Sequence, residues 1–362
     1  MKKFVSGILA LATVAVTAVS SVASAAGSFI PGKDPNGDGV LTLADSVYIR
    51  QVLGGKFNPS DLSQLDVDDN YVVSMADVVM AQRAEIGIYS ASEMENADSP
   101  MNAAASSTSA SYRVYNAKTG AYKRQYSLSV ENDNNAVETY SLPPYVDNKV
   151  VDWSNRGVAK LMCAGGYIGS GFVVGKHTIA TAAHCVFETV NNNAYKFTEI
   201  LLFDENGNPT SFTPVESHVP SSYYNYTEYH SVDDYALITV KEDLTDYMSF
   251  GVGMLREEAT NKHIEVSAVG FTQNAGNDAV SHIECLTTGE VNSVTNDKII
   301  WHSAYISPGN SGGPLYVTET VAGQTYYTVV GINSGYTGFE TKSVNLVPEV
   351  LKFLVGNTNL QY

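Results

Sequence analysis

The chain has 362 residues, 44% hydrophobic and 16% charged, with 38 Asp and Glu against 21 Lys and Arg for a formal net charge of −17. That apolar fraction can build folded cores and excludes wholesale disorder or a collagen-like repeat. The negative balance argues against wrapping nucleic acid or lying on an anionic membrane. Three cysteines are too few for a disulfide scaffold and show no zinc spacing, and the length suits two domains.

At the N-terminus, Lys2 and Lys3 precede an apolar run from Phe4 to Val19 and the small-residue string Ala23-Ser24-Ala25. This is the order of a secretory signal peptide over residues 1–25, with cleavage after Ala25. The apolar run is short for a membrane anchor. The expectation is a secreted, extracellular protein with no membrane span after signal removal, and losing two lysines takes the charge from −17 to −19.

Residues 28–90 are Asp-rich and contain two related segments. The first runs from Asp34 through Asn36, Asp38, Val40 and Thr42 to Asp45, and the second from Asp66 through Asp68, Asn70, Val72 and Ser74 to Asp77. Each places side-chain oxygens at places 1, 3, 5, 9 and 12 of a twelve-residue loop, with the place-7 residue (Val40, Val72) offering its backbone carbonyl. A hard cation takes six to eight oxygens, and alternate positions of a tight loop converge on one centre. The expected cofactor is therefore Ca2+, two ions, with none needed for catalysis. Helix-like stretches follow at Asp45–Leu53 and Asp77–Ile86. Tyr71 stands where the first loop has Gly39 for its sharp turn, which strains the second loop.

This duplicated loop-and-helix pattern resembles a type I-like dockerin. The resemblance implies a small α-helical EF-hand-like domain whose partner is a cohesin module of a scaffoldin, with the protein held at a cell surface or in a complex. In dockerins the tenth and eleventh places bear on partner choice. Here they are Leu43-Ala44 and Met75-Ala76, apolar in both copies and compatible with docking in two orientations.

Residues 91–111 are rich in Ser and Ala and read as a flexible linker. Residues 112–144 are polar and Tyr-rich, and either a lead-in strand or a removable pro-segment fits them. From 145 to 362, β-branched and aromatic runs such as Gly171–Val174, Ala236–Val240, Ile264–Gly270, Lys298–Trp301 and Tyr326–Ile332 alternate with turns, an all-β rhythm. Pro348–Val355 is the one helical pattern there.

Three strings in this region carry chemistry: Thr181-Ala182-Ala183-His184-Cys185, Asp233-Asp234-Tyr235-Ala236-Leu237 and Gly309-Asn310-Ser311-Gly312-Gly313-Pro314. A serine hydroxyl is a poor nucleophile at neutral pH. It needs a base within reach, and the base needs a partner that fixes its tautomer. The strings supply Ser311 as nucleophile, His184 as base and then acid, and Asp234 or its neighbour Asp233 as the orienting carboxylate. The glycines allow a tight bend in which the N–H groups of Gly309 and Ser311 face a developing oxyanion.

The order His, Asp, Ser resembles that of trypsin/chymotrypsin-fold serine peptidases. Gly-Asn-Ser-Gly, Ala268-Val269-Gly270-Phe271 and Val330-Gly331-Ile332-Asn333-Ser334-Gly335 place the likeness in the V8-like (glutamyl endopeptidase) branch. The resemblance implies an all-β, chymotrypsin-like double barrel with a C-terminal helix, and it selects Asp234 as the third member. It also implies a hydroxyl supporting the carboxylate, at Ser334. The V8-like branch recognises a Glu side chain with a Thr and a His, whose places here are Ile306 and Asn333, both departures. Lys342 falls near the pocket base, where an ammonium favours an acidic side chain. Asn310 replaces the Asp that receives a new N-terminus in pancreatic-type members, so a preformed oxyanion loop is expected. Cys185 matches a family cysteine whose usual partner place is Gly169; Cys163, six residues earlier, reaches Cys185 only with a shifted strand, Cys285 has no obvious mate, and the odd count leaves at least one thiol free or intermolecular.

The whole chain therefore reads as a secreted serine endopeptidase that hydrolyses protein or peptide substrates through an acyl-enzyme and is tethered by its calcium-binding dockerin. The alternative is a non-catalytic peptidase-fold adhesion or structural module displayed in the same way.

Overall fold

The structure, a computed structural model, describes residues 32–37, 43–59, 61–85, 108–130, 157–166, 168–204, 206–223, 232–247, 250–272, 284–296, 298–321, 324–336 and 340–356. The expected signal peptide and the loop residues Asp38, Val40 and Thr42 lie outside the described residues.

Near the N-terminus come α1 (Leu43–Leu53), β1 (Val72–Val73) and α2 (Met75–Glu85). The helices fall on the stretches expected from the pattern as far as Glu85, Ile86 lying outside the described residues, with Asp45 and Asp77 in their first turns, where a carboxylate complements the helix dipole.

The next strands are β2 (Thr108–Asn116), β3 (Tyr122–Val130), β4 (Val158–Cys163), β5 (Ile168–Gly175), β6 (Thr178–Thr181), β7 (Phe187–Glu188), β8 (Asn193–Ala194), β9 (Phe197–Phe203), β10 (Pro209–Phe212), β11 (Pro214–Pro220) and β12 (Ala236–Val240). All but the β7–β8 pair form one nine-stranded sheet in the order β10-β9-β4-β5-β6-β12-β11-β2-β3. β12 is buried along its whole length because β6 and β11 flank it.

β13 (Gly251–Val252), β14 (Met254–Leu255), β15 (Glu265–Phe271), β16 (Glu284–Thr295), β17 (Ile299–His302), β18 (Pro314–Val321), β19 (Gln324–Tyr336), β20 (Thr341–Asn345) and α3 (Pro348–Gly356) complete the chain. In the second sheet the six strands β19-β18-β15-β16-β17-β20 close on themselves through the β19–β20 pairing. The result is a mostly β body with a six-stranded barrel.

Two expectations change. Strand β2 begins at Thr108, so residues 108–111, expected in the linker, are sheet instead. The β2–β3 hairpin extends the first sheet through β2–β11 pairing, which favours the lead-in reading of residues 112–130 over a removable segment. The reason is side-chain burial: Tyr112 and Val114 are 1% and 0% exposed. Tyr112 stacks on Phe353 of α3 at 4.2 Å, and Tyr235 meets the same ring edge-on at 5.3 Å. Arg124 grips buried Glu216 of β11 with two bonds of 2.7 and 2.9 Å, and Lys123 joins them. Residues 131–144 lie outside the described residues.

The second change concerns independence. The α1–α2 segment, expected as a separate domain, shares one core with the β body. Ile49, Val52, Val73 and Val78 belong to the same buried cluster as Phe250, Val252, Val329 and Phe353. β1 pairs with β14, Val72 opposite Leu255 and Val73 opposite Met254. At Gly253 a Cβ would lie 2.5 Å from Thr328 Cγ2 and 2.8 Å from the Val73 carbonyl, so the body is shaped to receive this segment.

Candidate active site

The three chemical strings are brought toward one place at the junction of the two sheets. His184 sits in a 3₁₀ turn, Ala183–Cys185, immediately after β6. Asp234 precedes β12, where the Tyr235 N–H closes a tight turn on the Asp233 carbonyl. Because β6 and β12 are paired neighbours, with Thr181 opposite Ala236, the two ends lie side by side. Asp234 Oδ2 accepts from His184 Nδ1 at 2.8 Å, and Oδ1 accepts from the His184 backbone N–H at 2.9 Å. Both bonds to His184 fall on Asp234 rather than on Asp233.

Ser334 reaches the same carboxylate, its hydroxyl donating to Asp234 Oδ2. It can do so because β19 carries a register shift between Asn333 and Gly335, which turns the intervening side chain out of the ladder. Asp234 is 5% exposed. Burial pushes its carboxyl up, but the His184 charge and the bonds from His184 and Ser334 outweigh this and hold it below the usual range. Burial pulls the His184 imidazole down, yet Asp234 and the Cys185 thiol together hold it well above its ordinary value. A base held by a buried carboxylate keeps its Nδ1 protonated and its Nε2 free to take a proton.

Ser311 lies on the turn before β18. Its carbonyl accepts from the Ser170 N–H at 2.8 Å and from Cys185 Sγ at 3.4 Å, which sets it beside the histidine's own turn. No hydrogen bond joins its hydroxyl to His184 among the described residues, and such nucleophile–base bonds are often long outside the reacting complex. Gly309 and Gly312 have φ of 99° and 84°. At Gly312 a Cβ would stand 2.1 Å from Thr181 Oγ1 and 2.2 Å from the Ser170 carbonyl, so only glycine fits. The Asn310 and Gly313 N–H groups are used inside the turn and that of Gly312 by Asn333, while those of Gly309 and Ser311 donate to no protein acceptor among the described residues. Two free donors on one turn are what an oxyanion requires.

The turn is locked from within. Asn310 Oδ1 accepts from the Ser307 N–H at 2.7 Å and the Ser307 hydroxyl at 3.0 Å. Its side chain thus ties this turn back to Ser307. Ser170, which no sequence motif singled out, bridges the two sheets: its hydroxyl donates to the Gly309 carbonyl at 2.7 Å and accepts from the Phe271 N–H at 2.8 Å. The Gly169-Ser170-Gly171 string was the available signal.

The expected pocket residues divide. Ile306 is 2% exposed and Asn333 is fully buried. Asn333 acts as a strut, its amide directed at the Val269 and Pro314 carbonyls at 3.4 Å and its oxygen accepting from Ser343 at 3.1 Å. Lys342 is 3% exposed, on β20 opposite Trp301 and Gly335. Burial lowers its pKa, and Asp234 acts in the other direction. Cys163 and Cys185 are buried free thiols, and burial pushes the Cys163 thiol up to about 12.

The second set of chemical residues lies in the N-terminal loops. Asp66, Asp68 and Asp77 bring carboxylate oxygens within 4.8 Å of one another. Asp66 and Asp77 are fully buried. Burial, with Asp66 and Glu319 nearby, pushes Asp68 up to about 8, and Asp77 also rises. An all-oxygen donor set crowded with negative charge fits a hard divalent cation. In the first loop Asp34 Oδ1 accepts from the Gly37 N–H at 2.8 Å and Asp45 Oδ1 from the Asn36 N–H at 3.2 Å. Tyr71 takes the left-handed conformation expected of its place, with φ 70°. Met75 and Ala76, expected as a recognition pair, are 4% and 1% exposed inside the shared core, so the second copy does not offer them to a partner.

Residues 169–324 match the family described as the trypsin-like peptidase domain. Among solved structures, the chain is similar to a Glu endopeptidase in complex with MPD, at 17% identity and a TM-score of 0.46, covering 62% of this chain and 99% of that one. It is also similar to a thermostable serine protease, AL20, from an extremophilic microorganism, at 14% identity and a TM-score of 0.38, covering 57% and 98%. A third is the serine endoprotease from Yersinia pestis, at 18% identity and a TM-score of 0.36, where the match spans 56% of this chain and 64% of that one. No helix among the described residues is long and apolar enough to cross a membrane.

Proposed function

We propose that the protein is a secreted serine endopeptidase. The observation that carries this reading is the buried Asp234 carboxylate gripping His184 by both Nδ1 and backbone N–H, beside a turn with two undonated N–H groups at Gly309 and Ser311. His184 Nε2 takes the Ser311 proton as the hydroxyl oxygen attacks the peptide carbonyl. The carbonyl oxygen, now negative, is held by the Gly309 and Ser311 N–H groups. His184 then gives the proton to the leaving amine, and the acyl-enzyme is hydrolysed by a water activated in the same way. The stretch of β19 at Ser334 and Gly335, which runs past the end of its pairing with β18 at Pro314 opposite Ile332, supports pairing with an extended substrate backbone.

The buried Lys342 supports an acidic residue at the cleaved position, a V8-like preference reached without the Thr and His of that branch. The calcium pattern supports two Ca2+ ions, held by Asp34, Asn36, Asp38, Val40, Thr42 and Asp45 in the first loop and Asp66, Asp68, Asn70, Val72, Ser74 and Asp77 in the second. Such ions supply fixed positive charge that stiffens a loop and have no part in the peptide chemistry. The same duplicated pattern supports a scaffoldin cohesin as partner. With Met75-Ala76 buried, that contact falls to the first copy around Leu43-Ala44.

Labelling with a fluorophosphonate tests the enzyme reading: Ser311 is modified in the wild type and Ser311→Ala takes no label. Label retained by that variant, or none on the wild type, sinks the assignment. Cohesin capture with and without EDTA, read beside turnover, tests the tether.

A further inference from the structure

Glu319 lies on β18 of the peptidase-like body, 8% exposed, yet its carboxylate faces the second N-terminal loop. Its Oε1 accepts from Asn70 Nδ2 at 3.2 Å and from Ser74 Oγ at 3.0 Å, the residues at places 5 and 9 of that loop. Its Oε2 accepts from Thr328 Oγ1 of β19 at 2.6 Å. Ser74 and Glu319 are 245 residues apart in sequence, so this contact exists only when the helical segment sits on the body. A second long-range grip stands beside it, with Arg256 Nη1 donating to Asp66 Oδ2 at 2.7 Å and to Asp69 Oδ1 at 3.0 Å. The Arg256 backbone N–H donates to the Tyr71 carbonyl at 3.1 Å, continuing the β1–β14 pairing.

A carboxylate that accepts from a ligand's hydroxyl or amide hydrogen fixes that ligand's rotamer and raises the electron density on its oxygen. Glu319 does this to two members of one expected calcium ring from outside the loop. Place 12 of that loop is the short Asp77, whose two oxygens also accept the Val67 and Ser74 N–H groups, so the ring gains from outside support. We propose that the second calcium site is shared across the chain: Glu319 orients Asn70 and Ser74 as an outer-sphere positioning residue, so that calcium loading and docking of the helical segment onto the body reinforce each other. This rests on the calcium reading above and is independent of the peptidase chemistry. Linkage requires the coupling to run both ways. Calcium tightens the docked state, and the docked body raises calcium affinity.

The test uses the full chain, stripped of metal. Calcium titration by calorimetry is compared for wild type and Glu319→Gln, with hydrogen exchange at the Arg256 amide followed with and without calcium. The expected result is a loss of about 10- to 100-fold in affinity at one of two sites, the other unchanged, with calcium slowing Arg256 exchange at least tenfold in the wild type and far less in the variant. Equal affinities and equal protection in both proteins overturn the proposal. Absence of any calcium heat in the wild type overturns the calcium reading and this proposal with it, whereas fluorophosphonate labelling of Ser311 reports the peptidase reading separately. Should Glu319→Gln fail to fold, wild-type exchange at Arg256 decides alone, and no calcium dependence there refutes the coupling.

Discussion

Replacing Asp234 with Asn tests the site at its narrowest point. The carboxylate receives three donors: the His184 backbone N–H at 2.9 Å, His184 Nδ1 at 2.8 Å and the Ser334 hydroxyl. An amide has one oxygen and one NH2 at the same two positions. If the NH2 faces the backbone N–H, two donors collide in a buried site, at a cost of about 1–3 kcal/mol. The backbone cannot change tautomer but the imidazole can. The amide oxygen therefore takes the backbone N–H and its NH2 turns to Nδ1, which moves the ring proton to Nε2. That nitrogen can then no longer take the Ser311 proton. The expected loss in kcat is about 10^4-fold, the scale of the wrong-tautomer effect in serine peptidases, or about 5.5 kcal/mol of transition-state stabilisation. KM should change little, because no substrate contact is removed. The assay is burst-phase acylation by an activated ester, with thermal melting to confirm folding and Asp233→Asn, at a half-buried position, as control, expected to keep acylation within about twofold of wild type once folding is matched. An Asp234→Asn enzyme that keeps a tenth of wild-type acylation, or an Asp233→Asn enzyme that loses as much, refutes the assignment.

Three further outcomes are expected. With its folded-state pKa raised, His184 stays protonated to higher pH and activity requires the neutral ring. The acid limb of kcat/KM should therefore lie above the ordinary imidazole value of about 6.5, and a limb at or below it in a pH series counts against the Asp234 contact. Any stability His184 contributes has the matching sign, full below that ordinary value and lost as pH rises through the raised one. Lys342→Ala, profiled on a peptide library, should lose at least tenfold in cleavage after acidic residues while neutral ones persist; an unchanged profile removes Lys342 from the pocket. Gly253→Ala forces a Cβ to within 2.5 Å of Thr328 Cγ2 and 2.8 Å of the Val73 carbonyl. It should lower stability by about 1–3 kcal/mol through overpacking, seen as a lower melting temperature, and an unshifted melt refutes the close packing at this position.

Features with short-range causes are legible in the order of the residues alone. Leu237 and its neighbours form a β-branched and apolar run as a buried strand must, Pro348 opens a helix whose apolar face is written in the next seven residues, and Asp34 to Asp45 repeats as Asp66 to Asp77. The same holds for the strings that carry His184, Ser311 and the Asp233-Asp234 pair, although residue order alone does not choose between the two carboxylates. The β2–β3 hairpin is harder to read. Its signal is Tyr112 and Val114 on one face, diluted by the polar residues that face solvent and by the Ser-rich stretch that precedes it.

Other features have partners that no local pattern can name. Ser170 matters because the Gly309 carbonyl lies above it, 139 residues away, and Glu319 because Ser74 docks against β18. The same docking buries Met75 and Ala76, which the loop pattern alone presents as a recognition surface. Lys342 stands near the pocket base by resemblance alone, and its burial follows only from β17 and β19 closing around it. Residue type and spacing thus determined which side chains carry nucleophilic, basic and carboxylate groups in repeated or ordered strings, since those properties belong to side chains and their nearest neighbours. Only the closing of the sheets decided which groups meet and which surfaces stay free, because burial and long-range hydrogen bonding are properties of the assembled core.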